Sequence, residues 1–201
     1  MTMRIRPHQS VWRFIWPAMV VCGIATAHAQ GVSEGERKHG ICVSCHGIGG
    51  RSFKVHYPIL AGQRASYIVR QLNDFKEGRR SDPIMDGIAA QLTEQDMRDL
   101  ADFFASRGPY SGRFKPDSAK AARGRRMARS AHCADCHPAH ADSGIGASPR
   151  IQGQHYDYLV KQLREFRDGL RTNDGGVMQG IAQSMSDADI DDLANFFARS
   201  R

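Results

Sequence analysis

Apolar residues recur at helical spacing in matched stretches of the chain. In 65–78, "ASYIVRQLNDFKEG", Ile68, Leu72 and Phe75 stand at i, i+4 and i+7 and give one apolar face. In 93–106, Met97, Leu100 and Phe104 form a second stripe behind Thr93, which has the place of an N-cap. Further on, Leu159, Leu163 and Phe166, then Ile190, Leu193 and Phe197, repeat both patterns. Ser33 and Glu36 have capping-box spacing and predict a helix start ahead of residue 40, and Gly78 predicts a helix end. Neither half has the strict alternation of a strand. The pattern therefore predicts an all-α chain with about three helices in each half. "SDPIMDG" (81–87) and "DGGVMQG" (174–180) read as loops between them.

The two halves are one sequence written twice. Cys42, Cys45, His46, Pro58, Gly62, Gln63, Gln71, Leu72, Phe75, Gly78 and Arg80 recur 91 positions later. Their matches are Cys133, Cys136, His137, Pro149, Gly153, Gln154, Gln162, Leu163, Phe166, Gly169 and Arg171. After a two-residue insertion, Met85, Gly87, Ile88 and Ala89 match Met178, Gly180, Ile181 and Ala182. One repeat of this length means two tandem domains rather than a solenoid. The expected boundaries are 30–107 for the first, 108–117 for the linker and 118–201 for the second. Gly35 and Gly124 would let each domain's first helix approach its last, near Phe103 and Phe104 or Phe196 and Phe197. A helical domain of about 80 residues has a thin core, so a large flat apolar group buried at its centre would act as a staple.

The N-terminus reads differently. Arg4, Arg6 and Arg13 precede the apolar run "FIWPAMVVCGIATA", and "AHA" (27–29) offers the small residues of a cleavage site. Residues 1–29 are thus expected to be a cleaved signal peptide and the mature chain to be periplasmic. The run is short for a membrane span, which needs roughly 20 residues, and Pro17 interrupts it. Val21 before Cys22 argues against lipidation. The whole chain has a formal charge of +7, but the leader's three arginines contribute to that excess. The remainder is too weakly basic to point to nucleic acid.

Four cysteines remain, as two CxxC pairs. Disulfides are common in exported chains, but neither disulfides nor a redox dithiol account for the histidine that follows each pair. Paired zinc ligands stand roughly 15–20 residues apart, far closer than these. C-x-x-C-H is the haem c attachment signature: Cys42 and Cys45, then Cys133 and Cys136, would bind haem vinyl groups as thioethers. His46 and His137 would face the iron. Two covalent haem c groups are expected, one per domain. Pro58 and Pro149 could offer a carbonyl to fix each histidine ring or serve only to shape a turn.

The sixth ligand of a haem iron sets its use. Of the eight methionines, Met97 and Met185 align with aliphatic residues and read as packing. Only Met85 and Met178 match one another, at 39 and 41 residues from the axial histidines. Both are expected as axial thioether ligands. His39, His56, His132, His140 and His155 have no histidine partner across the repeat, which argues against a distal histidine in both domains. Arg80 and Arg171 could meet haem propionates, but an arginine in solvent at a helix end is the expectation favoured here.

These residues, with "YPILAGQRASYIVRQLNDFKEGRR" and "PRIQGQHYDYLVKQLREFRDGLRTND", give nearly all of residues 31 to 201 a resemblance to the dihaem cytochrome c4 family. Departures are "IQGQ" where the first domain has "LAGQ", and "HPAHADSGIGAS" after the second CxxCH. The resemblance implies two class I cytochrome c-like lobes and His/Met ligation of both irons. It also implies a periplasmic carrier taking electrons from respiratory-chain donors, such as a dehydrogenase or cytochrome complex, to a terminal oxidase. The alternative is the cytochrome subunit of a larger dehydrogenase, for example a sulfide-oxidising flavocytochrome. A dihaem peroxidase would need an open iron position, against which two matched methionines argue, so no catalytic residue is expected. A monomer or weak dimer, peripheral association with the membrane and no nucleic acid complete the expectation. The haem propionates are expected near the lobe interface, with Tyr67, Tyr158, Arg80 and Arg171 as donors and 106–118 wrapping outside.

Overall fold

The computed structural model describes residues 33–138 and 148–199, together with Thr2. The leader, His140 and the 139–147 part of the "HPAHADSGIGAS" loop lie outside them. The first lobe contains α1 (Glu34–Lys38), α2 (Gly40–His46), a 3₁₀ turn (Ile48–Gly50), α3 (Ala65–Lys76), α4 (Pro83–Ala90) and α5 (Glu94–Ala105). The second contains α6 (Ser118–Ser130), α7 (Cys133–Cys136), α8 (Tyr156–Arg167), α9 (Val177–Ala182) and α10 (Asp187–Phe197). No strand is found among the described residues, which are all-α as the periodicity predicts.

Each lobe has more helices than the three expected. The segments read as loops around Met85 and Met178 are short helices, each begun by an aspartate carboxylate that accepts from the methionine's backbone N–H, which apolar periodicity does not reveal. Asp82 accepts from the Ile84 and Met85 backbone N–H groups at 3.1 and 3.2 Å, with Pro83 in the first turn, where its missing N–H costs nothing. Asp174 accepts from the N–H groups of Gly176 and Met178. At the chain's first helix only half of the expected capping box forms: Ser33 accepts from Glu36 N–H at 3.1 Å, while the Glu36 carboxylate lies 3.6 Å from Arg107. Thr93 and Ser186 cap α5 and α10 with full boxes closed by Asp96 and Asp189.

The apolar stripes meet as the periodicity predicts. Ile68, Leu72, Leu92, Met97, Leu100, Phe103 and Phe104 form the first core. Ala128, Leu159, Leu193, Ala194 and Phe197 form the second, with Met185 packed against it. Met97 is fully buried in this apolar cluster, the packing role its alignment indicated. Crossing of first and last helices needs glycine. A Cβ on Gly35 would lie 2.1 Å from the Asp99 carbonyl oxygen, and one on Gly124 would lie 2.0 Å from that of Asp192. Gly35→Ala is therefore expected to cost at least the roughly 1–3 kcal/mol typical of overpacking, read as a lower denaturation midpoint. A midpoint within error of the parent would show that α1 does not need this approach to α5.

The linker lies against both lobes. A Cβ on Gly62 would stand 3.0 Å from Pro109, Gly112 N–H donates to the Gly153 carbonyl at 2.9 Å, and Phe114 stacks on Tyr156 at 4.7 Å.

Candidate haem sites

The end of α2 puts Cys42 and Cys45 three residues apart, on one helix face; Cys133 and Cys136 bound α7 in the same way. All four are half-buried, and none is paired in a disulfide. Burial pushes the Cys42 thiol up to about 11, with a smaller contribution from Cys45, and burial raises Cys133 as well.

Both histidines are oriented by the loop that follows. His46 Nδ1 is 2.9 Å from the Pro58 carbonyl oxygen, and His137 Nδ1 is 2.8 Å from that of Pro149. Of the two roles open to these prolines, carbonyl acceptor is the one seen. With Nδ1–H donating, Nε2 keeps the lone pair of the neutral ring. Burial lowers the pKa of both rings, against the opposing effect of the proline carbonyl bond.

A mainly apolar cavity of about 890 Å³ runs through both lobes. Cys42, Cys45, His46 and Met85 line its first part, and Cys133, Cys136, His137 and Met178 its second. All eight residues singled out from the sequence thus border one space. Met85 and Met178 reach it from the first turns of α4 and α9.

Where the lobes meet, the arginines correct an expectation. Arg80 and Arg171 are not solvated helix-end residues. Gly78 and Gly169, at φ +72° and +70°, turn the chain back after α3 and α8, and both guanidinium groups return to the interface. Arg80 donates to Gln71 at 2.7 Å in its own lobe, and to Tyr158 at 3.0 Å and Gln162 at 2.7 Å in the other. Arg171 mirrors it, donating to Gln162, to Tyr67 at 3.1 Å and to Gln71 at 2.8 Å. Burial pushes the Tyr67 phenol up, but Arg171 and Arg80 outweigh it and hold its pKa below the ordinary value.

Sequence reasoning missed other residues around the cavity. Gln71 and Gln162 were visible in the repeat, but their partnership with the arginines is a tertiary fact. Arg70 also lines the cavity; its Nε is buried with no hydrogen-bond partner among the described residues. The residues fit two haems: thiols for the vinyl groups, oriented imidazoles for iron, apolar walls for the ring, and an orphaned guanidinium N–H for a carboxylate.

His155 ties the lobes at a separate point. It is 4 % exposed and its Nε2 is 3.0 Å from the Ser52 carbonyl oxygen. Burial holds its pKa below the ordinary histidine value, against the opposing Ser52 bond. The folded state thus binds fewer protons than the unfolded one below about pH 6.5. Stability from this group is complete above that value and is lost as the pH falls through the folded pKa. Denaturation of the haem-loaded protein between about pH 5 and 7 should show stability rising with pH, with a shallower slope in His155→Gln. Equal slopes would exclude His155 as the source.

Comparison with known proteins agrees with this geometry. The cytochrome c family model matches residues 38–107 and 121–200. Cytochrome c4 of Pseudomonas aeruginosa is 38% identical over 181 residues, covering 85% of this chain and 89% of that protein. The thiosulfate dehydrogenase electron acceptor of Stutzerimonas stutzeri is 36% identical over 168 residues, covering 78% and 77%. The crystal structure of reduced recombinant cytochrome c4 from Pseudomonas stutzeri aligns with a TM-score of 0.72 at 34% identity, over 82% of this chain and 95% of that one. Two cytochrome c segments, each with its CxxCH turn, mean two haem c groups, and electron transfer means redox partners. The chain belongs to the cytochrome c4 family and is a dihaem electron carrier, not an enzyme.

Proposed function

We propose that this chain is a periplasmic carrier whose two haems are each bound through a histidine and a methionine, in domains bounded at 30–107 and 118–201 and joined by 108–117. When bound, each haem supplies an iron couple that takes up and releases one electron. Cys42 and Cys45 anchor the first and Cys133 and Cys136 the second. His46 with Met85, and His137 with Met178, are the axial pairs. The proline carbonyls hold the Nδ1 protons and so keep each Nε2 available for metal. A thioether ligand favours the ferrous form and raises the potential, while the apolar walls exclude water. Arg70, Arg80, Arg171, Tyr67 and Tyr158 offer donors to propionates at the lobe interface. The observation that supports this reading is that each oriented histidine shares its cavity with a methionine from the first turn of a short helix, a candidate for the sixth position that would leave none for substrate.

The donors are respiratory-chain proteins and the acceptor a terminal oxidase. A monomer or weak dimer, in solution or peripherally on the membrane, suits this role. No helix among the described residues is long and apolar enough to cross a membrane. The relative named as an electron acceptor for thiosulfate dehydrogenase favours a second reading, in which this chain is the electron-accepting partner or subunit of a dehydrogenase such as a sulfide-oxidising flavocytochrome. Mixing decides between them. The reduced protein should be reoxidised by oxidase-containing membranes faster than the oxidised protein is reduced by thiosulfate dehydrogenase and its substrate. The reverse order, or co-purification of a flavin-bearing chain, would replace the first reading with the second.

A further inference from the structure

Each lobe reaches into the loop that orients the other lobe's histidine. Gln154, 7 % exposed, accepts from Ile59 N–H at 2.9 Å and donates to the Ile59 carbonyl at 3.0 Å. Gln63, 6 % exposed, does the same to Arg150, at 2.8 Å in both directions. The adjoining Arg64 and His155 N–H groups also donate to the glutamine oxygens, each at 3.0 Å, and fix the amides.

The Ile59 N–H and the Pro58 carbonyl belong to one peptide unit, and that carbonyl accepts from His46 Nδ1. The Arg150 N–H and the Pro149 carbonyl are joined in the same way, and the latter accepts from His137 Nδ1. One hydrogen-bond chain therefore runs from Gln154 through a peptide to His46, and a second from Gln63 to His137. Donation from one end of a peptide polarises it and makes its carbonyl a better acceptor. A stronger bond at Nδ1–H makes the imidazole a more basic ligand, which favours the oxidised iron.

We propose that Gln63 and Gln154 are crossed positioning residues, each lowering the reduction potential of the haem in the opposite lobe through the peptide that holds its axial histidine. The proposal rests on His46 and His137 being the axial ligands. Lobe docking and iron chemistry are then linked: a partner that loosens the interface raises both potentials.

The test uses Gln154→Met and Gln63→Met in the haem-loaded protein, since Met keeps the length and removes both hydrogen bonds. Met85→Ala and Met178→Ala, made first, assign each redox wave to its lobe. If neither alters the axial-ligand spectrum, it is the ligand assignment that fails, before any glutamine variant is read. Gln154→Met should raise the potential of the first-lobe haem, speed hydrogen exchange at His46 Nδ1 and leave the second-lobe haem in place. Gln63→Met should do the reverse. A shift confined to the variant's own lobe, equal shifts in both, or no shift would overturn the proposal. Gln154→Glu keeps the acceptor for Ile59 N–H and should hold the first-lobe potential at or below the parent value. This variant decides the matter alone if the Met variants do not mature, and a rise in it would overturn the proposal.

Discussion

Met85→Ala is expected to remove the thioether-to-iron charge-transfer band at the red end of the oxidised spectrum from one haem and leave it in the other, and Met178→Ala to do the converse. Each variant should also lower the potential of its own haem. Axial ligand and surroundings tune haem potentials over about 0.8 V, so loss of the ligand that favours ferrous iron moves the wave by a readily measured part of that span. The effect stays local because each methionine is held by its own helix. Asp82 caps the turn carrying Met85, and the Asp174 carboxylate accepts from the Met178 N–H. Met85 also packs against the first core, so its loss costs some stability, which a denaturation curve separates from the spectral change. An unchanged spectrum in either variant would put the ligand elsewhere.

Arg171→Leu is expected to loosen the two lobes far more than a surface arginine would. Its guanidinium is buried, lies 4.5 Å from the centroid of the Phe166 ring and donates across the interface to Gln71 and Tyr67. Removal takes the arginine donor from Tyr67 and leaves Gln71 and Gln162 with Arg80 as their one arginine donor. A hydrogen bond to a charged group is worth about 1.5–3 kcal/mol, so losing the two bonds across the interface weakens it by several kcal/mol. Arg80→Leu takes three donor contacts from the mirror position. Hydrogen exchange should rise at the facing ends of α3 and α8 in either variant, while each lobe's own core stays protected. Solution scattering should show a larger radius. Unchanged exchange and radius would mean that the glutamine and histidine ties suffice to hold the lobes.

The covalent chemistry and the repeat were legible because they are local. CxxCH declares itself in five residues, and the repeat sorted Met85 and Met178 from Met97 and Met185 without a structure. The stripes through Leu100, Phe104, Leu193 and Phe197 showed the core because burial follows helical periodicity. Less was visible where the signal is short or lies across the interface. The helices carrying the methionines are only eight and six residues long and start on hydrogen bonds from backbone N–H groups to Asp82 and Asp174 rather than on a long apolar face. Arg80 and Arg171 looked like solvated helix ends because nothing in the sequence says that a glycine turn returns them to the other lobe. Gln63 and Gln154 stood in the repeat as matched residues, but their partners lie 87 and 95 positions away and no local pattern predicts such a pairing.

Spectroelectrochemical titration of the purified protein, with haem counted by mass after acid–acetone extraction, tests the central claim most directly. The account predicts two haems that stay with the protein and two one-electron steps. Both oxidised irons should show the thioether band, and reduction of one haem should shift the potential of the other through the shared interface. Pigment that washes out, a single step, or an oxidised spectrum with the thioether band missing from either iron would contradict it.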